Sequence, residues 1–188
     1  FMDRSVTAAS PVNAVAVLSR ADEIGAGRLD AMVSSAKIAQ RYAADPQLTG
    51  LCAAVVPLAG LLGETGLTLR EDEVGALRML AATAPDVLER MLLSGDHFCD
   101  TSSSALTVEL RRSLLDRLGL FGVRLAISEI QSGRATTAAA LGPVLVEHSG
   151  LTALRRLITS HFMPRARILQ ARSALVALRA ISRQISSV

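Results

Sequence analysis

The fold of this 188-residue chain is decided by a stretch in which an apolar run stops abruptly at polar residues, Val12-Asn13-Ala14-Val15-Ala16-Val17-Leu18-Ser19-Arg20-Ala21-Asp22-Glu23-Ile24-Gly25. Residues 12–18 are apolar except for Asn13, and such a short run predicts a strand that is covered on both faces, as in a parallel sheet. Ser19, Arg20 and Asp22 follow directly. Because open α/β sheets bind ligands outside the carboxyl ends of their strands, this stretch predicts a binding site.

The four residues after the predicted strand resemble the base-recognition motif of P-loop GTPases. Ser19-Arg20-Ala21-Asp22 stands where those proteins usually carry Asn-Lys-x-Asp. An ionised carboxylate only accepts hydrogen bonds, so Asp22 could accept two from the N1–H and 2-amino group of guanine, which adenine cannot supply. Arg20 could lie over the purine ring. The alternative is that Asp22 is a helix N-cap, which is the commoner role of an Asp after a strand.

A second buried strand is predicted at residues 52–57, after an intervening helix. A strand, helix, strand unit of this length fits a crossover between neighbouring parallel strands, so that both carboxyl ends would line one sheet edge. The loop that follows, Leu58-Ala59-Gly60, resembles the GTPase loop whose backbone N–H binds the guanine O6 atom. Its small residues let backbone approach a ligand, and Ala59 and Gly60 complete the predicted guanine site.

Helical patterns dominate the rest of the chain. Residues 23–44 have apolar side chains at spacings of three and four, and Pro46 ends the pattern. Further helices and their glycine or proline boundaries are predicted at residues 68–81, 85–93, 107–118, 120–132 and 137–149, with a polar loop at 95–104. The predicted fold is mostly α: a short parallel α/β part in residues 1–66, then an antiparallel helical bundle or stalk in residues 67–188.

The first residues do not read as a natural beginning. The chain starts at Phe1, and residues 3–6 resemble the close of a helix that leads into the first strand. Two strands are also too few for a complete doubly wound sheet. We therefore expect the chain to be a fragment of a longer protein.

Positive charge is concentrated in the last part of the chain. Residues 148–188 contain seven Arg and no Asp or Glu, whereas the preceding residues carry a net charge of −4. Pro164 predicts a break, and the helix beyond it is amphipathic, with Ile168, Leu175, Leu178 and Ile185 toward one side and Arg165, Arg172, Arg179 and Arg183 along another. The Arg side is either a solvated face of the bundle or a contact for anionic lipid or an acidic partner. Nucleic acid is not expected, because stacking aromatics are absent.

Several site types find no support in the sequence. Cys52 and Cys99 have no metal-ligand spacing and are expected to be buried free thiols, and the His97–Cys99 region is expected to be a turn rather than a metal site. No glycine-rich phosphate loop precedes the single lysine, Lys37. We therefore predict no catalytic and no metal-binding residues in this chain, and phosphate and Mg²⁺ chemistry would lie upstream.

Taken together, these residues resemble the carboxyl-terminal part of an actinobacterial dynamin-like GTPase, in the group related to the isoniazid-inducible dynamin-like proteins. The resemblance is carried by residues 13–25, 55–62, 115–123 and 149–175. It implies that residues 1–66 are a remnant of a P-loop GTPase domain, and that the helical part associates with membranes and self-assembles. Ser19 and Arg20 depart from the usual motif. GTP or GDP is the implied ligand, and this chain alone is not expected to hydrolyse GTP.

The implied location is cytoplasmic, with peripheral contact at the inner face of the plasma membrane if the tail binds lipid. A second hypothesis is a helical protein-interaction module without nucleotide binding. A third, an enzyme on a flavodoxin-like scaffold, is disfavoured because no nucleophile with its base, paired carboxylates or metal set converges in the sequence.

Overall fold

A computed structural model describes residues 14–100 and 104–186, with a few side chains near the carboxyl end left out. The predicted helix end at residues 3–6 and the first residues of the predicted strand lie outside these ranges. The elements in chain order are β1 (Val15–Ser19), a 3-10 turn (Ala21–Glu23), α1 (Ala31–Ala43), α2 (Pro46–Thr49), β2 (Ala54–Leu58), α3 (Gly60–Thr68), α4 (Glu71–Ala81), α5 (Pro85–Met91), α6 (Gly95–Asp100), α7 (Val108–Gln131), α8 (Ala138–His148), α9 (Leu151–Leu157), a π turn (Ile158–Phe162), a 3-10 turn (Met163–Arg165) and α10 (Ala166–Ser186).

The two strands form a parallel pair. The register runs from Val15 opposite Ala54 to Ser19 opposite Leu58, so the two carboxyl ends lie side by side. The predicted fold of many helices with a small parallel sheet is confirmed. The expectation that both faces are covered is wrong for the described residues, because Val17 is 43% exposed and β2 is only half-buried.

The apolar core runs continuously from the sheet side into the helices. Its largest fully buried members are Leu62, Leu77, Leu80, Met91, Phe98, Leu114, Leu118, Phe121, Leu141 and Leu145. Two glycines let α3 and α8 approach closely, since a Cβ on Gly66 would lie 2.8 Å from the Gly142 carbonyl oxygen. The domain boundary after residue 66 stays a prediction, as does the assignment of the sheet to a GTPase domain.

Several predicted helix boundaries were wrong. The helix predicted from Glu23 begins only at Ala31, because Gly25, Ala26 and Gly27 all have positive φ angles that no helix tolerates. The polar loop predicted at residues 95–104 contains α6, whose Phe98 is buried. The predicted stop at Gly119 is instead a kink within α7, where this glycine has φ 63° and ψ 172°.

The basic helix of the tail begins just after the predicted break. Around Pro164 the regular α-helix gives way to the π turn and the 3-10 turn before α10 starts. Every described side chain from residue 167 to residue 179 is exposed, including Ile168 at 70% and Leu178 at 62%. Among the described helices, none has the length and apolarity needed to span a bilayer.

Candidate functional site at the carboxyl ends of the strands

The end of β1 is held by a tight, left-handed turn. Arg20 has φ 53°, is exposed, and pairs through its Nε atom with a Glu23 carboxylate oxygen at 2.7 Å. Ala21 is completely buried, and its carbonyl oxygen accepts a hydrogen bond from the Ser35 hydroxyl at 2.5 Å. Arg20 is therefore on the surface, where it could cover a ligand, while Ala21 anchors the turn to α1.

Asp22 faces a small cavity next to the kink of α7. The cavity has a volume of about 300 Å³ and is lined by Asp22, Glu23, Ala26, Gly27, Leu93, Ser94, Gly95, Leu120 and Phe121. A Cβ atom on Gly119 would lie 3.2 Å from Asp22 Oδ2. Burial raises the pKa of the Asp22 carboxyl above its ordinary value. Asp22 lies inside the 3-10 turn, whereas Arg20 occupies its N-cap position, so Asp22 does not cap that turn.

The loop that follows the Asp22 turn is fixed by Arg124 of α7. Its Nη1 donates to the carbonyl oxygens of Ala26 and Gly27 at 2.9 and 2.5 Å, and its Nη2 donates to the Leu92 carbonyl oxygen. Burial lowers the pKa of Arg124, and the nearby positive charge of Arg28 lowers it further. A residue such as Ala26 keeps φ 59° only when its surroundings hold it there, and Arg124 supplies that restraint.

The second half of the predicted site, Ala59 and Gly60, lies just beyond β2. Ala59 is 1% exposed, and its N–H donates to the Ser149 carbonyl oxygen at 2.9 Å. Gly60 is exposed and is the first residue of α3. Both residues are at the same sheet edge as Ser19 and Arg20, but neither lines the cavity that Asp22 faces.

Three residues that shape this edge were missed by the sequence analysis. Arg124 carried no signal, because an Arg in a helix pattern is usually solvated. Gly119 and Ser149 stood next to predicted helix boundaries, which gave them only a terminating role. Gly119 did leave a sequence signal, because a glycine between two helical patterns marks a position where the backbone can leave helical geometry, and its φ of 63° and ψ of 172° suit glycine.

The groups available at this edge can form hydrogen bonds and ion pairs. It offers a carboxylate that accepts hydrogen bonds, exposed backbone at Gly60 and one guanidinium at Arg20. Within residues 14–100 and 104–186, no three side chains of His, Cys, Asp or Glu are grouped so that they could hold a metal ion. Cys52 and Cys99 are free, and Cys99 is buried whereas Cys52 is only half-buried.

The predicted anionic-surface contacts lie elsewhere in the molecule. Arg165, Arg172 and Arg179 are exposed along the tail, and the side chain of Arg183 falls outside the described residues. They share the tail with exposed apolar residues, among them Leu175 at 57%. The structure therefore separates the sheet edge from a basic amphipathic helix.

Comparison with known proteins supports the resemblance recognised in the sequence. The chain is 46% identical over 167 residues to the isoniazid-induced protein IniC of Mycobacterium tuberculosis, in both the CDC 1551 / Oshkosh and the ATCC 25618 / H37Rv strains. The match covers 88% of this chain and 34% of IniC, so the chain spans about a third of the length of the curated relatives it matches. No family model matches the sequence, and no solved structure matches it.

Proposed function

Because this chain is related to the isoniazid-induced, dynamin-like proteins, we propose that it carries guanine recognition and the helical part of a protein that binds and hydrolyses GTP. The observation that carries the proposal is the register of the sheet. With Ser19 opposite Leu58, the motif that ends at Asp22 and the loop at Ala59 follow neighbouring parallel strands at one edge of the sheet. That edge is where α/β proteins bind their ligands.

Each residue of the proposed guanine site has a role that its position supports. Asp22 would accept hydrogen bonds from the N1–H and 2-amino group of guanine, and Arg20 would cover the ring from the surface. The N–H of Ala59 or Gly60 would donate to O6, and Ser19 ends β1 beside them. The phosphates and Mg²⁺ of GTP or GDP would be held by residues outside this chain.

Replacing Asp22→Asn tests this assignment in the complete protein. An amide both donates and accepts, so the variant should pair with the 2-oxo group of xanthine and lose its fit to guanine. We expect GTP affinity to fall by about tenfold or more, as for loss of a charged hydrogen bond, and xanthosine triphosphate affinity to rise. Nucleotide affinities measured by competition against a fluorescent GDP analogue give both values.

The matched control is Asp86→Asn, the same change at an exposed carboxylate of α5 that pairs with Arg90 and does not line the cavity that Asp22 faces. This variant should keep the preference for guanine. An Asp22→Asn protein that is folded and still prefers GTP over xanthosine triphosphate to the same degree would show that Asp22 does not read the base.

The basic tail supports a proposal for the second partner. Exposed Ile168 and Leu175 next to Arg172 and Arg179 give α10 the character of a helix that lies on an anionic lipid surface. We place the protein in the cytoplasm, with peripheral contact at the inner face of the plasma membrane and self-association through its helices.

A second candidate function is a helical interaction module that binds no nucleotide. The hydrogen bond from Ala59 to Ser149 favours it, because the N–H that would read guanine O6 already has an acceptor inside the chain. Under this function, no guanine nucleotide would bind to the complete protein, and Asp22→Asn would have no effect on ligand preference.

A further inference from the structure

The loop after β2 is covered by the junction between α8 and α9, residues 147–151. The Ser149 carbonyl oxygen accepts the hydrogen bond of Ala59 N–H at 2.9 Å, and both residues are buried, Ser149 at 0% and Ala59 at 1% exposed. If the Ala59 N–H, rather than that of Gly60, donates to guanine O6 in the proposed site, the Ser149 carbonyl oxygen occupies the position that O6 would take. The two acceptors cannot occupy one N–H at full strength at the same time.

The junction is seated closely on the end of β2. Gly150 has φ 81°, and a Cβ atom there would lie 2.4 Å from the Pro57 carbonyl oxygen. On the α3 side, a Cβ on Gly63 would lie 3.0 Å from the Ser149 hydroxyl oxygen. At Ala59 itself the Ser149 carbonyl oxygen lies 2.9 Å from the backbone nitrogen, which leaves no room for a base carbonyl between them, so a ligand at Ala59 requires the junction to move.

The junction also has a stable shape of its own. The Ser149 hydroxyl donates to the Val146 carbonyl oxygen at 2.6 Å and accepts from the Leu151 N–H at 3.1 Å. Through Leu151 the junction continues into α9 and then, past Pro164, into the basic helix α10. A displacement of the junction as a unit would therefore also move the start of α9.

We propose that the Ser149 carbonyl oxygen at the α8–α9 junction takes the position of the base carbonyl oxygen. The junction then regulates the guanine site by competing with nucleotide for the Ala59 N–H. This inference rests on the proposed function. Nucleotide binds only when Ser149 has left Ala59, so its apparent affinity is lowered by the fraction of molecules in which the junction is docked. By the same linkage, bound nucleotide releases the junction.

The test weakens the docking without changing Ala59. In Gly150→Ala, the added Cβ would overlap the Pro57 carbonyl oxygen, and a left-handed φ becomes unfavourable, so the junction should leave β2. The matched control is Gly133→Ala, which carries the same type of strain at φ 72° but has no atom within 4 Å of the new Cβ. Binding of a fluorescent GDP analogue to the complete protein is measured for both variants and the wild type.

We expect Gly150→Ala to bind the GDP analogue at least about fivefold more tightly than the wild type and Gly133→Ala do. The reason is that the state in which the junction is docked on Ala59 no longer competes with nucleotide. A folded Gly150→Ala protein with unchanged or weaker affinity, alongside a wild type that prefers guanine through Asp22, overturns this inference and leaves the proposed function standing. If no form of the protein binds guanine nucleotide, both fail.

Discussion

Asp22 and Glu129 are two carboxylates whose surroundings shift their pKa values in opposite directions. Burial beside the kink of α7 raises the pKa of Asp22 above its ordinary value of 3.8. Two hydrogen bonds from Arg134, at 2.9 and 2.7 Å, lower the pKa of Glu129 below its ordinary value of 4.5. The charged form is therefore disfavoured by folding at Asp22 and favoured at Glu129.

These shifts predict opposite effects of pH on stability. The contribution of the Asp22 carboxyl to the free energy of unfolding is fully present below pH 3.8 and is lost as the pH rises through its raised pKa in the folded state. The contribution of Glu129 is present above pH 4.5 and is lost as the pH falls through its lowered folded pKa. Relative to the wild type, Asp22→Asn should therefore gain stability with rising pH, whereas Glu129→Gln should lose it.

Urea unfolding of the wild type and both variants between about pH 3 and pH 7 measures these differences, since the window spans both ordinary pKa values. If the two differences change with the same sign across this range, the assigned surroundings of at least one carboxylate are wrong.

At the scale of elements, α7 is the helix that organises the sheet edge. Its kink at Gly119 lies beside Asp22, and in its first turn the buried Arg111 donates to the Phe98 carbonyl oxygen at 2.7 Å. Farther along, Arg124 holds the turn at Ala26. One helix thus fixes α6, the Asp22 turn and its cavity together.

The kink gives a direct prediction. Gly119→Ala should destabilise the protein by about 1–3 kcal/mol, because the φ and ψ angles at this position suit only glycine. Gly75→Ala in α4 is the matched control, since its Cβ would meet no atom within 4 Å, and it should stabilise by about 0.5–1 kcal/mol. Denaturant midpoints compare the two, and a loss of equal size in both variants would contradict the special role of the kink.

At the scale of the whole molecule, charge is divided between two regions. The residues before 148 carry a net charge of −4, and the tail carries seven Arg without an acid. Arg172 and Arg179 project from the exposed helix α10. Among the described residues, neither of them forms an ion pair with an acidic side chain of the same molecule. An external anionic surface is the partner that this division fits.

The corresponding prediction concerns lipid binding. The protein should sediment with vesicles that contain phosphatidylglycerol, more weakly as salt rises, and not with neutral phosphatidylcholine vesicles. Reversing Arg172 and Arg179 to Glu should weaken this binding by about fivefold or more for each residue, since a basic residue near such a surface contributes about 1 kcal/mol. Arg78→Glu, on the exposed face of α4, is the control that should bind normally. Equal binding to both vesicle types would contradict the electrostatic contact.

The sequence by itself determined those features that depend on neighbouring residues. The apolar run before Ser19, the second run before Ala59, the break at Pro164 and the amphipathic tail are local patterns, and the parallel pairing followed from the helix between the strands. Local patterns failed where glycines changed the backbone, as at Gly25, and where a short helix such as α6 was buried by distant partners.

Only the tertiary structure decided which groups meet at the sheet edge. Arg124 reaches the carbonyl oxygens of Ala26 and Gly27, and the Ser149 carbonyl oxygen takes the Ala59 N–H, from positions far along the chain. Backbone groups carry no residue-specific signal, because every residue except proline has the same N–H and carbonyl. Which carbonyl accepts the hydrogen bond of Ala59 N–H is therefore set by how α8 and α9 pack on β2, and not by any motif in the sequence.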